Sequence, residues 1–126
     1  VYWEDTDAGG IVYHSNYLAF MERARSEWLR AVGVSQPGLV ATERLQFAVV
    51  EMDVKWRRPA RHDDLLQVTA ELLERGGATL TFRQSVLRDG ETLVEATVRV
   101  AALDADTLKP RRIPAAVARR LTTDGE

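Results

Sequence analysis

Glu4-Asp5-Thr6-Asp7-Ala8-Gly9-Gly10-Ile11-Val12-Tyr13-His14-Ser15-Asn16-Tyr17 compresses three carboxylates, two adjacent glycines and one of only two histidines into a short stretch. Glycine lets a backbone take positive φ or approach a ligand closely, and Ser15 or Asn16 has the side chain to cap a following helix. The unpaired N–H groups of that helix's first turn would then face the same loop as the acid. A carboxylate beside such an anion hole would put a base or nucleophile next to donors that favour negative charge. Asp7 is the candidate nucleophile or general base, and the backbone N–H of His14 or its neighbours is the candidate oxyanion donor. The His14 imidazole, of a type that titrates near neutrality, suits orienting Asp7, holding water or protonating a leaving group. Plainer roles compete: a turn residue for Asp7, a cap or surface imidazole for His14, core packing for Tyr13. Glu4 and Asp5 read as solvent-facing or turn-stabilising acids.

The elements that must position this loop are legible in the apolar periodicity. From Asn16 to Val32, Tyr17, Phe20, Met21, Ala24, Trp28, Leu29 and Val32 recur at helical spacing, Glu22, Arg23, Arg25, Glu27 and Arg30 fill the other faces, and Gly33 stops the helix. Then Ala48, Val50, Met52, Val54 and Trp56 alternate with Val49, Glu51, Asp53, Lys55 and Arg57, the pattern of a long half-buried strand. Three more strands are predicted over 65–74, 78–87 and 92–103, separated by Gly76-Gly77 and Asp89-Gly90, which signal hairpins in an antiparallel meander. Pro114 opens a short terminal helix over 115–121, and the tail from Thr122 is expected to fray. One long helix and four strands after it make an α+β chain whose sheet wraps the helix. Periodicity alone allows several such folds.

The order Asp-x-Asp-Ala-x-Gly-x-Val-x-x-x-x-Tyr, from Asp5 to Tyr17, resembles the signature of the 4-hydroxybenzoyl-CoA thioesterase family of hot-dog proteins. His14 seven positions after Asp7, with Asn16-Tyr17-Leu18 and Glu22-Arg23-Ala24-Arg25, is similar to the YbgC-type acyl-CoA thioesterases associated with the Tol-Pal envelope system. Two downstream segments, Val54 to Asp64 through Trp56 and Pro59-Ala60, and Lys109-Pro110-Arg111-Arg112-Ile113-Pro114, extend the resemblance over nearly the whole chain. It implies a hot-dog fold, one domain over 1–126, and hydrolysis of an acyl-CoA to free acid and CoA. Asp7 would act directly as nucleophile or as base for water, and His14 would assist. Gly10, Tyr13 and Tyr17 would line the substrate site. It also implies a homodimer or homotetramer, with the pocket in an interface groove that His62 or Arg61 of a partner could border. A rival reading is a scaffold for acyl carrier protein or envelope proteins with residual activity; a hot-dog dehydratase is a third, with a differently spaced histidine and acid.

At 126 residues, 45% hydrophobic and 29% charged, the composition is that of one globular domain. A net charge of −2 argues against a module built to bind nucleic acid, and the absence of cysteine excludes disulfides, thiolate nucleophiles and thiolate metal sites. No His-x-x-x-His pair or Walker or Rossmann glycine loop occurs, so neither a metal nor a separate cofactor is expected. With no long apolar run and no export leader, the expectation is a cytoplasmic protein. The opening Val1-Tyr2-Trp3, without methionine, suggests a first strand truncated at its start. Two basic clusters, Arg57, Arg58 and Arg61, then Lys109, Arg111 and Arg112, are either solvated faces or forks for the phosphates of CoA.

Overall fold

The computed structural model describes residues 14–61 and 64–121, with the side chains of His14 and Ser15 outside the description. Helix α1 spans His14–Ala31 and α2 Gln36–Glu43; strands β1 Leu45–Trp56, β2 Gln67–Val68, β3 Glu71–Arg75, β4 Thr79–Arg88 and β5 Glu91–Asp104 follow, and α3 is Ala115–Ala118. The strands form one antiparallel sheet in the order β1-β5-β4-β2, with β3 also paired to β4. The α+β meander expected from the sequence is therefore present. At Asp89-Gly90 both residues have positive φ, 50° and 80°, the requirement of a two-residue hairpin turn matched to strand twist.

Tyr17, Met21 and Leu29 of α1 are buried against the inward residues of β4 and β5, among them Leu80, Phe82, Val86, Val98 and Val100. Burial of a side chain of this size contributes about 1.5–3 kcal/mol. The stripe tying α1 to the sheet therefore fixes where the first turn of the helix lies.

Four features depart from the sequence expectations. The single face drawn through Ala48, Val50, Met52, Val54 and Trp56 is broken, because the pairing of β1 with β5 shifts between Val49 and Glu51. Val50 is the extra residue of a bulge, so the core-packed positions run Leu45 and Phe47 before it and Met52 and Val54 after it. The strand predicted over 65–74 is split at Thr69-Ala70, where the Thr69 hydroxyl accepts from the Ser85 N–H at 2.9 Å and the Thr69 N–H donates to the Ser85 carbonyl at 2.9 Å. Helix α2 was not predicted, although Ser35 caps it by accepting the Gly38 N–H at 3.2 Å and Pro37 sits in its first turn. Only Leu39 of α2 is buried, too little apolar pattern to announce a helix. The terminal helix is one turn, with Pro114 at its N-cap and not at its first helical position.

Candidate active site

Asp7, Gly10, Tyr13 and His62 lie outside the described residues. His14 is the first residue of α1, so the helix begins directly after the glycine-containing segment of the sequence, with its first-turn N–H groups left without partners inside the helix. Tyr17, one turn later, is 1% exposed, and its hydroxyl accepts the Ala60 N–H at 2.5 Å. Its ring meets those of Trp56 and Phe20 edge-on, at centroid separations of 5.4 and 6.2 Å. Burial raises the pKa of the phenol, with the Ala60 bond opposing, so it stays neutral at pH 7. Tyr17 thus clamps the start of α1 to the end of β1 and the Pro59-Ala60 turn.

That turn carries the first arginine cluster. Arg57 forks onto Glu95, at 2.7 and 3.1 Å, Arg58 stands 3.9 Å from Glu91, and Arg61 is exposed. Asp64 closes the turn by accepting the Arg61 N–H at 2.7 Å and an Arg88 N–H at 2.9 Å. Burial pushes the Asp64 carboxyl upward, but these two donors outweigh it and hold the group below the usual carboxylate range. The second cluster is elsewhere. Arg111 donates to the Glu43 carbonyl, and its own N–H bonds Ala102 at 2.9 Å, while Arg112 borders a groove with Arg75, Gly77 and Pro114. Val94 and Ala102 mark the two ends along β5, and eight residues of strand span roughly 26 Å. The structure sets Arg57, Arg58 and Arg61 at the same end of the sheet as the start of α1 and sets Arg111 and Arg112 at the other.

Arg25 and Gln84 are polar residues at the heart of the fold that sequence reasoning missed. Arg25, assigned above to an outer face, is 8% exposed, and Gln84 is fully buried. The Arg25 guanidinium donates to Gln84 Oε1 at 2.7 Å, and Gln84 Nε2 donates to the carbonyls of Met21 at 2.8 Å and Thr69 at 3.2 Å. Those two carbonyls fix the amide's orientation, since a flipped amide would point its oxygen at both. The signal was in the spacing: Arg25 continues Tyr17, Met21 and Leu29 at steps of four, and Gln84 continues Leu80, Phe82 and Val86 at steps of two. Burial lowers the Arg25 pKa, with Glu22 opposing.

Arg25 also lines a pocket of about 240 Å³ between α1 and the sheet, with Glu22, Ser26 and Gln36 as its other polar walls. Phe47 and Val49 of β1, Leu80 and Phe82 of β4, and Val100 of β5 supply an apolar floor. A pocket of this size holds only a small group, between an apolar floor and a polar wall. Among the described residues, no three His, Asp or Glu side chains are grouped to hold a metal ion, and no helix is long and apolar enough to cross a membrane.

The family model of the thioesterase-like superfamily matches residues 1–121. The chain is 46% identical over 118 residues to the acyl-CoA thioester hydrolase YbgC of Escherichia coli O6:H1, covering 93% of this chain and 87% of that protein. It is 45% identical over 114 residues to the acyl-CoA thioesterase YbgC of Haemophilus influenzae, covering 90% and 84%. The crystal structure of a probable thioesterase from Bartonella henselae superposes with a TM-score of 0.86 at 39% identity, over 90% of this chain and 94% of that one.

Proposed function

The chain belongs to the thioesterase-like superfamily, has the hot-dog fold and is a thioester hydrolase, and from that premise we propose that it cleaves acyl-CoA with Asp7 as the acting carboxylate. The observation that carries this reading is the start of α1 at His14, because it supplies fixed N–H donors only seven positions along the chain from Asp7. An oxygen, from water deprotonated by Asp7 or from Asp7 itself, attacks the thioester carbon. The carbonyl oxygen gathers charge against the N–H groups of the first turn. The C–S bond then breaks, CoA leaves as a thiolate that takes up a proton, and the His14 imidazole is placed in sequence to supply it. If Asp7 attacks directly, water hydrolyses the resulting anhydride and restores the carboxylate. Arg57, Arg58 and Arg61, at the α1 end, are better situated for CoA phosphates than Arg111 and Arg112.

The active unit in this reading is at least a two-fold dimer. β1 is a 12-residue strand at the edge of the described sheet, with Val49 and Val50 exposed at 47% and 55%. Long apolar edges of this kind are liabilities unless covered. Antiparallel pairing of β1 with its copy sets the Trp56 end of one strand toward the Leu45 end of the other. The start of α1 of one protomer then lies toward its partner's Phe47 and Val49, which line the pocket. A scaffold role toward acyl carrier protein or Tol-Pal proteins finds its support in the groove of about 670 Å³ at Arg75, Arg111 and Arg112, remote from the start of α1.

The test is Asp7→Asn in the purified protein. Turnover of acyl-CoA should fall about 10²-fold or more while the fold persists, the usual magnitude of general-base or nucleophilic assistance. Undiminished turnover would remove Asp7 from the mechanism, and retained binding of a partner by the inactive variant would favour the scaffold.

A further inference from the structure

A guanidinium cannot shed its charge, so a buried arginine ordinarily meets a carboxylate. Arg25 does not: among the described residues its hydrogen-bonded partner is the neutral amide oxygen of Gln84, and no carboxylate forms an ion pair with it. Gln84 Oε1 engages one guanidinium nitrogen, while every fully buried side-chain nitrogen or oxygen of the described residues has a partner. The remaining Arg25 donors therefore keep some accessible surface, and the opening they share is the pocket above Phe47, Leu80 and Phe82. Glu22 shares that pocket, but it is exposed and keeps its water, whereas Arg25 is 8% exposed. Ser26 and Gln36 are joined to each other, the Gln36 amide nitrogen donating to the Ser26 hydroxyl at 3.2 Å, and neither is hydrogen-bonded to Arg25.

We propose that this pocket selects acyl groups carrying an oxygen acceptor beyond the thioester, a carboxylate above all, which Arg25 reads from its fixed place on Gln84. The inference rests on the thioesterase reading and adds the substrate class to it. The apolar floor accommodates the methylene chain, and the small volume limits its length. A distal carboxylate would give the buried cation the charge-assisted, fork-shaped partner that the protein itself withholds. A plain alkyl end would leave those donors facing hydrocarbon. Sites built around a substrate's polar group discriminate strongly against analogues that lack it, because their own buried polar groups are then stranded. Arg25 in this role is a specificity residue remote from the bond that breaks.

The experiment compares hexanoyl-CoA, 6-hydroxyhexanoyl-CoA and adipoyl-CoA, equal in chain length and differing only at the distal end. The wild type should favour adipoyl-CoA over hexanoyl-CoA by about tenfold or more in kcat/KM, with the hydroxyl between them. Arg25→Gln should bring the adipoyl to hexanoyl ratio close to one, and Arg25→Lys, which keeps a charge without the fork, should retain part of it. Equal or inverted rates for the wild type would overturn the inference while leaving the thioesterase reading intact, and would do so even if Arg25→Gln failed to fold. A preference that survives in a folded Arg25→Gln protein would equally overturn the role of Arg25. A wild type that hydrolyses none of the three, nor any other acyl-CoA, would overturn both readings together.

Discussion

Arg57 and Arg25 are the same residue type in opposite settings. Arg57, on the rim beyond β1, has half its side chain in water and forks onto Glu95 at 2.7 Å. Arg25, between α1 and β4, is almost wholly out of water and is held by an amide. Surface pairs such as Arg57 with Glu95 face a high dielectric and are screened by salt, so forming or losing them changes little. The interior pair sits where each unpaired polar atom costs its full desolvation. The contrast teaches that the number of ion pairs around an arginine is a poor guide to its importance here. What counts is how many donors are desolvated, and whether the protein itself has filled them.

Breaking the interior pair should give the largest effect. In Gln84→Leu the Arg25 cation loses its acceptor, and the Met21 and Thr69 carbonyls lose a donor. A charge-assisted bond and its stranded partners together amount to about 3 kcal/mol, which urea denaturation would read as a lowered midpoint at unchanged slope. Arg25→Met combined with Gln84→Leu should recover half of that loss or more, since replacing both partners by apolar groups of similar shape approaches neutrality. Additive losses in the double variant would show that the two residues pack independently and that the node is not a unit.

The same contrast explains what the sequence disclosed. Strands and the long helix were legible because their residues repeat with the element's own period, and Asp89-Gly90 has the residue types its positive φ values demand. Arg25 and Gln84 were hidden because residue type was weighed above position: each occupies an inward step of its series, and each is tolerated there because the other satisfies it. The bulge at Val50 was hidden for a different reason. Four consecutive apolar residues, Phe47, Ala48, Val49 and Val50, make a one-residue slip of phase invisible until β5 supplies the register. Of the candidate site, the helix itself was legible from its apolar spacing but its first residue was not: α1 begins at His14, so Ser15 and Asn16, read as caps, lie inside its first turn. The pocket was not, because it is assembled from α1, β1, β4 and β5, and no local pattern reports that meeting.

The rim arginines should respond in binding and not in folding. Arg57→Ala with Arg58→Ala removes cations that lie beside the start of α1, where the charged nucleotide of CoA would remain outside the small acyl pocket. KM for acyl-CoA should rise severalfold with kcat largely kept, because such contacts are shared by the ground and transition states. The denaturation midpoint should stay within error of the wild type, and an acyl-pantetheine substrate should be nearly indifferent. Equal losses on both substrates would assign these arginines to the fold or to an interface between protomers.

Asp64 offers the smallest effect and the finest distinction, because it belongs to the rim yet is less exposed than the Arg57 pair, with 20% of its side chain accessible against 42% for Glu95. Burial raises its pKa, while the Arg61 N–H and Arg88 lower it further, so the carboxyl ends below its ordinary value. A carboxylate depressed in the folded state stabilises the fold above its unfolded pKa, about 3.9, and that contribution disappears as pH falls through the lower folded value. Between pH 7 and about 5 this group should therefore leave stability unchanged, and below about 4 its contribution should decline. Asp64→Asn should flatten part of the acid limb in a plot of melting temperature against pH, leaving the contributions of Glu95, Asp104 and Asp106, which are also depressed. An acid limb identical to that of the wild type would place Asp64 with the screened surface pairs, and only the Arg25–Gln84 node would then stand apart from the rim.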